Sequence, residues 1–300
     1  MSYQYEKVTI DKNEKPLITF ALFSYNQEEF IKEAIEAAFT QTYGNLQIIL
    51  SDDYSSDKTY QIIEELTASY VGPHKVILNR NERNLGLGAH VNKICQMAAG
   101  ELIVVAAGDD ISLPERTQTL VDAWLQDGKR KASVCSDAIL INSVNVEMEY
   151  LNGKPFDGSI ENGINTFFSG VQGATHAWRK DVFNVFGDML ADTICEDRVI
   201  PLRAAFLGGV GYVTAPLVKY RIHTRNISHH SSIPVDKIMS RTIEIHRRNS
   251  NILANYCHDL LIAKKLELIG GMEFDNLMNL SESLRCNVED KIKFLESGLA

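Results

Sequence analysis

Three features of the sequence predict an α/β protein with a mostly parallel central sheet flanked by helices. Short apolar runs alternate with amphipathic stretches through the first half, each run ends in a polar loop, and the spacing suits strand–helix–strand crossovers. The first run is at 17–23. It is followed by a helix from about Glu28 to Thr40, in which Ile31, Ala34, Ile35 and Ala38 share one face. Asn26 and Glu29 have the spacing of a capping pair, which ends the strand near Ser24. The run at 46–50 is the second strand, 51–57 its polar loop, and 59–69 a helix carrying Ile62, Ile63 and Leu66. A third strand at 76–78 leads to a helix from about Ala89 to Ala99, with Gly100 as its C-cap. The fourth strand, 101–107, breaks at Gly108-Asp109-Asp110, and Ser112, Pro114 and Glu115 mark the next helix start.

Bulk properties narrow the function classes. With 300 residues and 45% hydrophobic composition the chain can bury one sizeable core. A net charge of -9 argues against broad nucleic-acid binding, which needs dense Lys and Arg. Five cysteines at 95, 135, 195, 257 and 286 leave no C-x-x-C spacing, which suggests reduced thiols in a cytoplasm. The opening residues show no apolar signal region, and no run of eighteen or so apolar residues occurs. The Asn226-Ile227-Ser228 sequon reads as accidental. Gly86-Leu87-Gly88 lacks the remaining glycine of a dinucleotide fingerprint.

In a parallel sheet the loops after successive strands share one edge, where ligands bind. Phe23-Ser24-Tyr25-Asn26, Ser51-Asp52-Asp53 and Gly108-Asp109-Asp110 are therefore expected to converge. Adjacent carboxylates at a strand end suit a hard divalent cation with positions left for substrate phosphates. The alternative for Asp109-Asp110 is a turn that merely opens the next helix. An acidic protein that handles phosphates needs a metal intermediary.

The order and spacing of Ser24-Tyr25-Asn26, Gln41-Thr42-Tyr43, Asp52-Asp53, Asn84-Leu85-Gly86 and Asp109-Asp110 closely resemble family 2 glycosyltransferases of the GT-A fold. The resemblance covers roughly 16–228. It implies a Rossmann-like sheet, a nucleotide-sugar donor (expected to be a UDP-sugar), an acceptor hydroxyl, and Mn²⁺ or Mg²⁺. On this analogy Phe23 and Tyr25 lie against the base, Asp52 and Asp53 recognise it, and Asn84 belongs to the nucleotide side. Asp110 binds the metal, while Asp109 binds ribose or metal. Relatives often have Pro before a small residue and Tyr in the first loop, where this chain has Phe23.

Glu196-Asp197 resembles the family's E-D motif, which implies that Asp197 is the general base of an inverting reaction and Glu196 an acceptor contact. Such a base contributes typically ~10²- to 10⁴-fold. The late segment Arg221-Ile222-His223-Thr224-Arg225 resembles an R-x-H motif, with His223 a metal ligand and Arg221 or Arg225 facing the diphosphate. His229 and His230 read as loop residues. The segment from Gly170 to Arg179 resembles the acceptor side, with Gly173 in the segment; Trp178 is either an acceptor platform or a core residue.

These expectations divide the chain into a GT-A catalytic domain at 1–230 and a helical C-terminal extension at 231–300. The extension carries six basic and three acidic residues between Ser232 and Lys265. This local excess fits either peripheral contact with an anionic membrane surface or an ordinary solvated helix face. The expected partners are the donor, a saccharide or lipid-linked saccharide acceptor, and other copies of the chain in a homo-oligomer. The expected location is the cytoplasm, at the inner face of the membrane where the acceptor is lipid-linked, and the expected role is bacterial surface-polysaccharide assembly. Two rivals are a noncatalytic nucleotide-sugar or carbohydrate-binding module and a nucleotidyltransferase. The second would want a Gly-rich, basic first loop, and 23–28 is neither.

Overall fold

The computed structural model describes residues 15–152, 158–167, 171–223 and 237–297. Four parallel strands come first: β1 (Ile18–Ser24), β2 (Leu46–Asp52), β3 (Lys75–Arg80) and β4 (Leu102–Ala107). They are joined by α1 (Ile31–Phe39), α2 (Thr59–Ala68) and α3 (Leu87–Met97). All seven residues of β1 are buried, as expected for a strand covered on both faces. Its alternating side chains divide between two apolar layers. Ile18, Phe20 and Leu22 pack with Ile31, Ile35 and Leu120 on one face; Ala21 and Phe23 pack with Val91, Trp178 and Val199 on the other. Burying one such Ile, Leu or Phe side chain stabilises the fold by ~1.5–3 kcal/mol, and Phe20→Ala would cost about 3–5 kcal/mol.

The second half builds a different kind of sheet. Its elements are β5 (Ile111–Ser112), α4 (Arg116–Gln126), β6 (Ser133–Asn142), β7 (Glu147–Leu151), α5 (Ile160–Thr166), β8 (Ala177–Arg179), α6 (Asp181–Phe186), α7 (Glu196–Phe206) and β9 (Val210–Ile222). The strand order is β3-β2-β1-β4-β8-β6-β9-β5, with β7 paired to β6. β8 runs antiparallel to β4 and β6, and β9 runs parallel to β6 but antiparallel to β5. The sheet is thus parallel through its first four strands, as the alternation predicted, and mixed beyond them. The long β9 was not visible as a periodic run in the sequence.

Several local expectations change. Asn26 is not a cap: it has φ 52°, its Oδ1 accepts from the Ser56 amide (2.8 Å), and α1 starts only at Ile31. The Asn side chain is used to join two loops instead. Gly100 lies beyond the end of α3, whose C-cap is Ala98. A Cβ at Gly100 would fall 2.6 Å from the Ile18 carbonyl carbon, so close approach to β1 is what demands glycine there. Ser112 pairs in β5, and the helix begins at Arg116.

The chain ends in two long helices, α8 (Ile238–Lys265) and α9 (Gly271–Ser297). Leu253, Tyr256 and Leu260 of α8 and Phe274 and Leu277 of α9 belong to the same core layer as Val91, Trp178 and Val199. The expected domain boundary near 230 lies outside the described residues. Among the described residues no helix is long and apolar enough to cross a membrane. Arg241 and Arg248 of the basic segment both pair with Glu244, and Arg247 pairs with Glu296. All five cysteines are free.

Candidate active site

Three strand ends meet at one edge because their loops are bonded to one another. The Asp53 amide donates to the Ser24 carbonyl (2.9 Å), and the Gly108 amide donates to the Phe23 carbonyl (2.8 Å). Gly108 is needed at this crossing: a Cβ would lie 2.9 Å from Ile31 Cδ1 and 2.5 Å from Gln27 Oε1. At the β2 end, Asp52 is wholly buried and accepts from the Ser55 amide (2.9 Å), with Arg80 at 3.6 Å. Asp53 accepts from Asn81 Nδ2, Leu85 N and Gly86 N (2.8, 2.9 and 3.0 Å). Asn84 Oδ1 also accepts from the Gly86 amide. These acids shape the loops around the edge.

Phe23 requires a correction. Its ring is buried and packs edge-on against His90 at 5.2 Å, because β1 alternation turns it into the core. His90 in turn meets Ser51 Oγ at 2.6 Å, and burial pushes its pKa down to about 4, so it is neutral near pH 7. Tyr25, 47% exposed, is the aromatic that the loop presents outward. Arg80 is a neighbour that sequence reading missed. It lies over the Tyr60 and Tyr54 rings at 4.5 and 5.4 Å.

At the β4 end, Asp110 Oδ1 accepts from the Arg221 amide (2.7 Å), whereas its Oδ2 is buried with no hydrogen-bond partner. Burial, followed by the charge of Asp109, holds the Asp110 carboxyl well above the usual range. Asp109 Oδ2 meets His223 Nε2 at 2.9 Å, and the His223 ring rests on Phe30 at 4.9 Å. The orphaned oxygen and the adjacent carboxylate fit a hard divalent cation, which would supply the missing partner. Among the described residues no three His, Cys, Asp or Glu side chains form a complete cage, so the remaining positions would fall to substrate or water.

Arg221 is the second correction. It is 1% exposed, and its guanidinium donates to the Asp109 carbonyl (2.7 Å), Asn145 Oδ1 (2.6 Å) and Glu33 Oε2 (2.6 Å) while lying over Phe30. It clamps the aspartate loop to α1 and to the β6–β7 turn and does not face a diphosphate. Glu33, Phe30 and Asn145 belong to this clamp, and nothing local in the sequence marks them. Arg225 lies outside the described residues.

The acid pair sits at the start of α7, where acids suit the helix N-terminus. The Gly173 amide hydrogen-bonds the Asp197 carboxylate, and a Cβ at 173 would overlap Glu196 Oε1, so this glycine lets its own segment lie against both acids. Burial and then the charge on Asp197 push Glu196 up to about 8. Burial also raises Asp197, but Arg198 and the Gly173 amide favour its ionised form. The two acids thus titrate together, both held above the ordinary carboxylate range by burial. Arg116, wholly buried, ties this segment to the aspartate edge by donating to Val105 O (2.7 Å), Ala174 O (2.6 Å) and Ser112 Oγ (2.8 Å). Trp178 is 0% exposed and packs on Phe183 and His176, which makes it a core residue and not an acceptor platform.

Comparison with known proteins gives this geometry a family. An uncharacterized glycosyltransferase of Methanocaldococcus jannaschii is 35% identical over 36% of this chain and 37% of its own length. The Bacillus subtilis protein EpsH, which carries a provisional glycosyltransferase name, is 30% identical over 71% of this chain and 63% of its own. The chain therefore spans less than two thirds of these relatives. S. aureus TarS, solved with UDP-GlcNAc, has a TM-score of 0.56 at 16% identity, covering 84% of this chain and 72% of that one. The Pyrobaculum calidifontis mannosyltransferase PcManGT, solved with GDP-Man and Mn²⁺, has a TM-score of 0.55 at 13% identity, covering 98% and 88%. Those two likenesses establish a GT-A fold. The profile of the family described as Glycosyl transferase family 2 matches residues 19–186, more than half the sequence, so the chain belongs to glycosyl transferase family 2.

Proposed function

We propose that this glycosyltransferase moves a sugar from a UDP-sugar to an acceptor hydroxyl with inversion at the anomeric carbon, using Asp197 as general base. The observation that carries this reading is the acid pair in the first turn of α7, packed against Gly173. Arg198 and the Gly173 amide favour the ionised form of Asp197, which sets a carboxylate base beside the Gly173 segment. Asp197 removes the proton from the acceptor oxygen as that oxygen bonds to the anomeric carbon. The bond from that carbon to the diphosphate oxygen breaks, and the nucleoside diphosphate leaves with its electron pair. No covalent intermediate is needed, so one carboxylate base suffices. Tyr25, Asp52, Asp53 and Asn84 line the nucleotide side, Glu196 and Gly173 the acceptor side, and Arg225 is the remaining candidate for the diphosphate.

Asp110, with His223 or Asp109 as a second protein ligand and substrate or water oxygens for the rest, would hold Mn²⁺ or Mg²⁺, which when bound neutralises charge on the departing diphosphate. Arg221 keeps the aspartate loop in place for that purpose. The UDP-GlcNAc bound to TarS supports a UDP-sugar donor, and the GDP-Man bound to PcManGT supports GDP-mannose as the second candidate. An acceptor from surface-polysaccharide assembly, saccharide or lipid-linked, and peripheral contact with a membrane through α8 and α9 belong to the same proposal.

The test incubates the protein with Mn²⁺, candidate acceptors and a panel of UDP-GlcNAc, UDP-glucose and GDP-mannose, and compares wild type with Asp197→Asn. The variant should lose ~10²- to 10⁴-fold in turnover while binding UDP normally. Wild-type turnover by the variant removes Asp197 from the mechanism, and a product that keeps the donor's anomeric configuration overturns inversion.

A further inference from the structure

The loop between α6 and α7, residues 187–195, delivers Glu196 and Asp197, and side chains from two helices hold it. On one side stands α3. Asn92 donates to the Met189 carbonyl (2.7 Å) and accepts from the Met189 amide (2.9 Å), and the Gly88 amide donates to the Thr193 carbonyl (2.9 Å). A Cβ at 88 would lie 2.6 Å from that carbonyl, so glycine lets the loop settle on the start of α3.

On the other side stands α8, beyond the stretch that matches the family profile. Asn251, Asn255 and Asp259 recur every fourth residue and so share one helix face. Asn251 Nδ2 donates to the Asp192 carbonyl (3.2 Å). Asn255 Oδ1 accepts from the Leu190 amide (3.0 Å), and its Nδ2 donates to Thr193 Oγ1 (2.7 Å). Asp259 takes both a 2.7 Å and a 2.9 Å bond from Arg203, whose Nη1 donates to the Gly187 carbonyl (2.7 Å). The stripe therefore grips the loop at its beginning, middle and end.

Asn255 is 0% exposed, where an amide side chain is costly unless fully bonded. It bonds the loop at Leu190 and Thr193 and also donates to the Asn251 carbonyl of its own helix (2.9 Å), while the Thr193 hydroxyl donates to the Leu190 carbonyl (2.6 Å), closing a small network. We infer that Asn255 is a positioning residue for Glu196 and Asp197, acting through Leu190 and Thr193, and that α8 is a working part of the transferase site. The inference rests on reading Asp197 as the base. It makes the second half of the chain answer for the placement of that base, since an error of ~1 Å there can cost about 10²-fold in rate.

The experiment compares Asn255→Ala, Thr193→Val, Thr193→Ser, Asp197→Asn and, as a control on the outer side of α8, Leu261→Ser. Turnover is followed with whichever of UDP-GlcNAc, UDP-glucose and GDP-mannose the wild type consumes with Mn²⁺. Hydrogen exchange of 188–198 is measured without any substrate. Asn255→Ala and Thr193→Val should lose about 10²-fold in kcat with the donor KM unchanged, and should exchange faster at 188–198 but not at 102–110. Thr193→Ser keeps the hydroxyl and should recover most of the rate, and Leu261→Ser should match wild type. Thr193→Val preserves shape, so it carries the test if Asn255→Ala fails to fold. Wild-type kcat in both latch variants alongside an inactive Asp197→Asn overturns positioning and leaves the base intact. Wild-type turnover in Asp197→Asn overturns the base instead. Unaltered exchange at 188–198 in the latch variants overturns the latch whatever the turnover.

Discussion

The aspartate edge and the acid-pair loop are built by opposite means. At the edge, Ser24 ends one parallel strand and Asp53 and Gly108 follow two others in register with it, and backbone bonds such as Asp53 N to Ser24 O join one strand end to the next. Position there comes from the sheet. The acid pair instead begins a helix after an irregular loop whose place depends on Asn92, Asn251 and Asn255, side chains from other helices, and on Arg203 of α7 itself. An edge made of strand ends is rigid through its backbone, whereas a loop-built acid pair is set by distant side chains and can vary with them.

The largest effect that could break this contrast is at Asp110. Asp110→Asn should weaken Mn²⁺-dependent UDP binding by at least the roughly 10- to 100-fold that outer-shell partners of a metal cost, as read by calorimetry with and without Mn²⁺. Equal affinities would detach the edge from metal and nucleotide alike. Next comes Asp259→Ala, which strands Arg203, itself wholly buried, without its partner. A loss of about 3–5 kcal/mol in chemical denaturation is expected, and a neutral result would mean that the loop does not depend on α8. Gly108→Ala should cost ~1–3 kcal/mol, because the new methyl meets Ile31 and Gln27 while the backbone cannot move without shifting β4. An unchanged melting temperature there would show the edge to be softer than its register suggests.

The smallest effect is the pH dependence of Glu196. Its folded pKa, about 8, lies above its ordinary value of 4.5. The folded state therefore binds the proton more tightly, and the stability linked to this group is full below pH 4.5 and lost as pH rises through 8. Melting temperatures of Glu196→Gln should fall less steeply over that window than those of wild type. Parallel profiles would place the acid pair in a more solvated setting than the loop provides.

Much of the first half was legible because local rules and tertiary structure agree there. The alternation of 17–23, 46–50 and 101–107 with helical stretches foretold β1, β2 and β4, and parallel topology alone put Asp53 and Asp109 on a common edge. The misses share a physical cause. Phe23 and Arg221 carry side chains suited to ligand contact, yet strand alternation and the carboxylate of Glu33 draw them inward. Trp178 was undecided between platform and core until β8 placed it between β4 and β6. β9 escaped because its residues are partly buried and do not alternate cleanly.

By itself the sequence determined the α/β class, the strand-end aspartates, the order of motifs that marks the family, and the acid pair at 196–197, since each is a pattern within a short stretch of chain. Only the tertiary structure decided which polar groups are buried in bonds that hold the edge and the acid pair together. Burial settles that question. Arg221, Asn255 and Arg203 are removed from water by elements far away in sequence, and a polar group removed from water must bond to whatever the fold brings beside it.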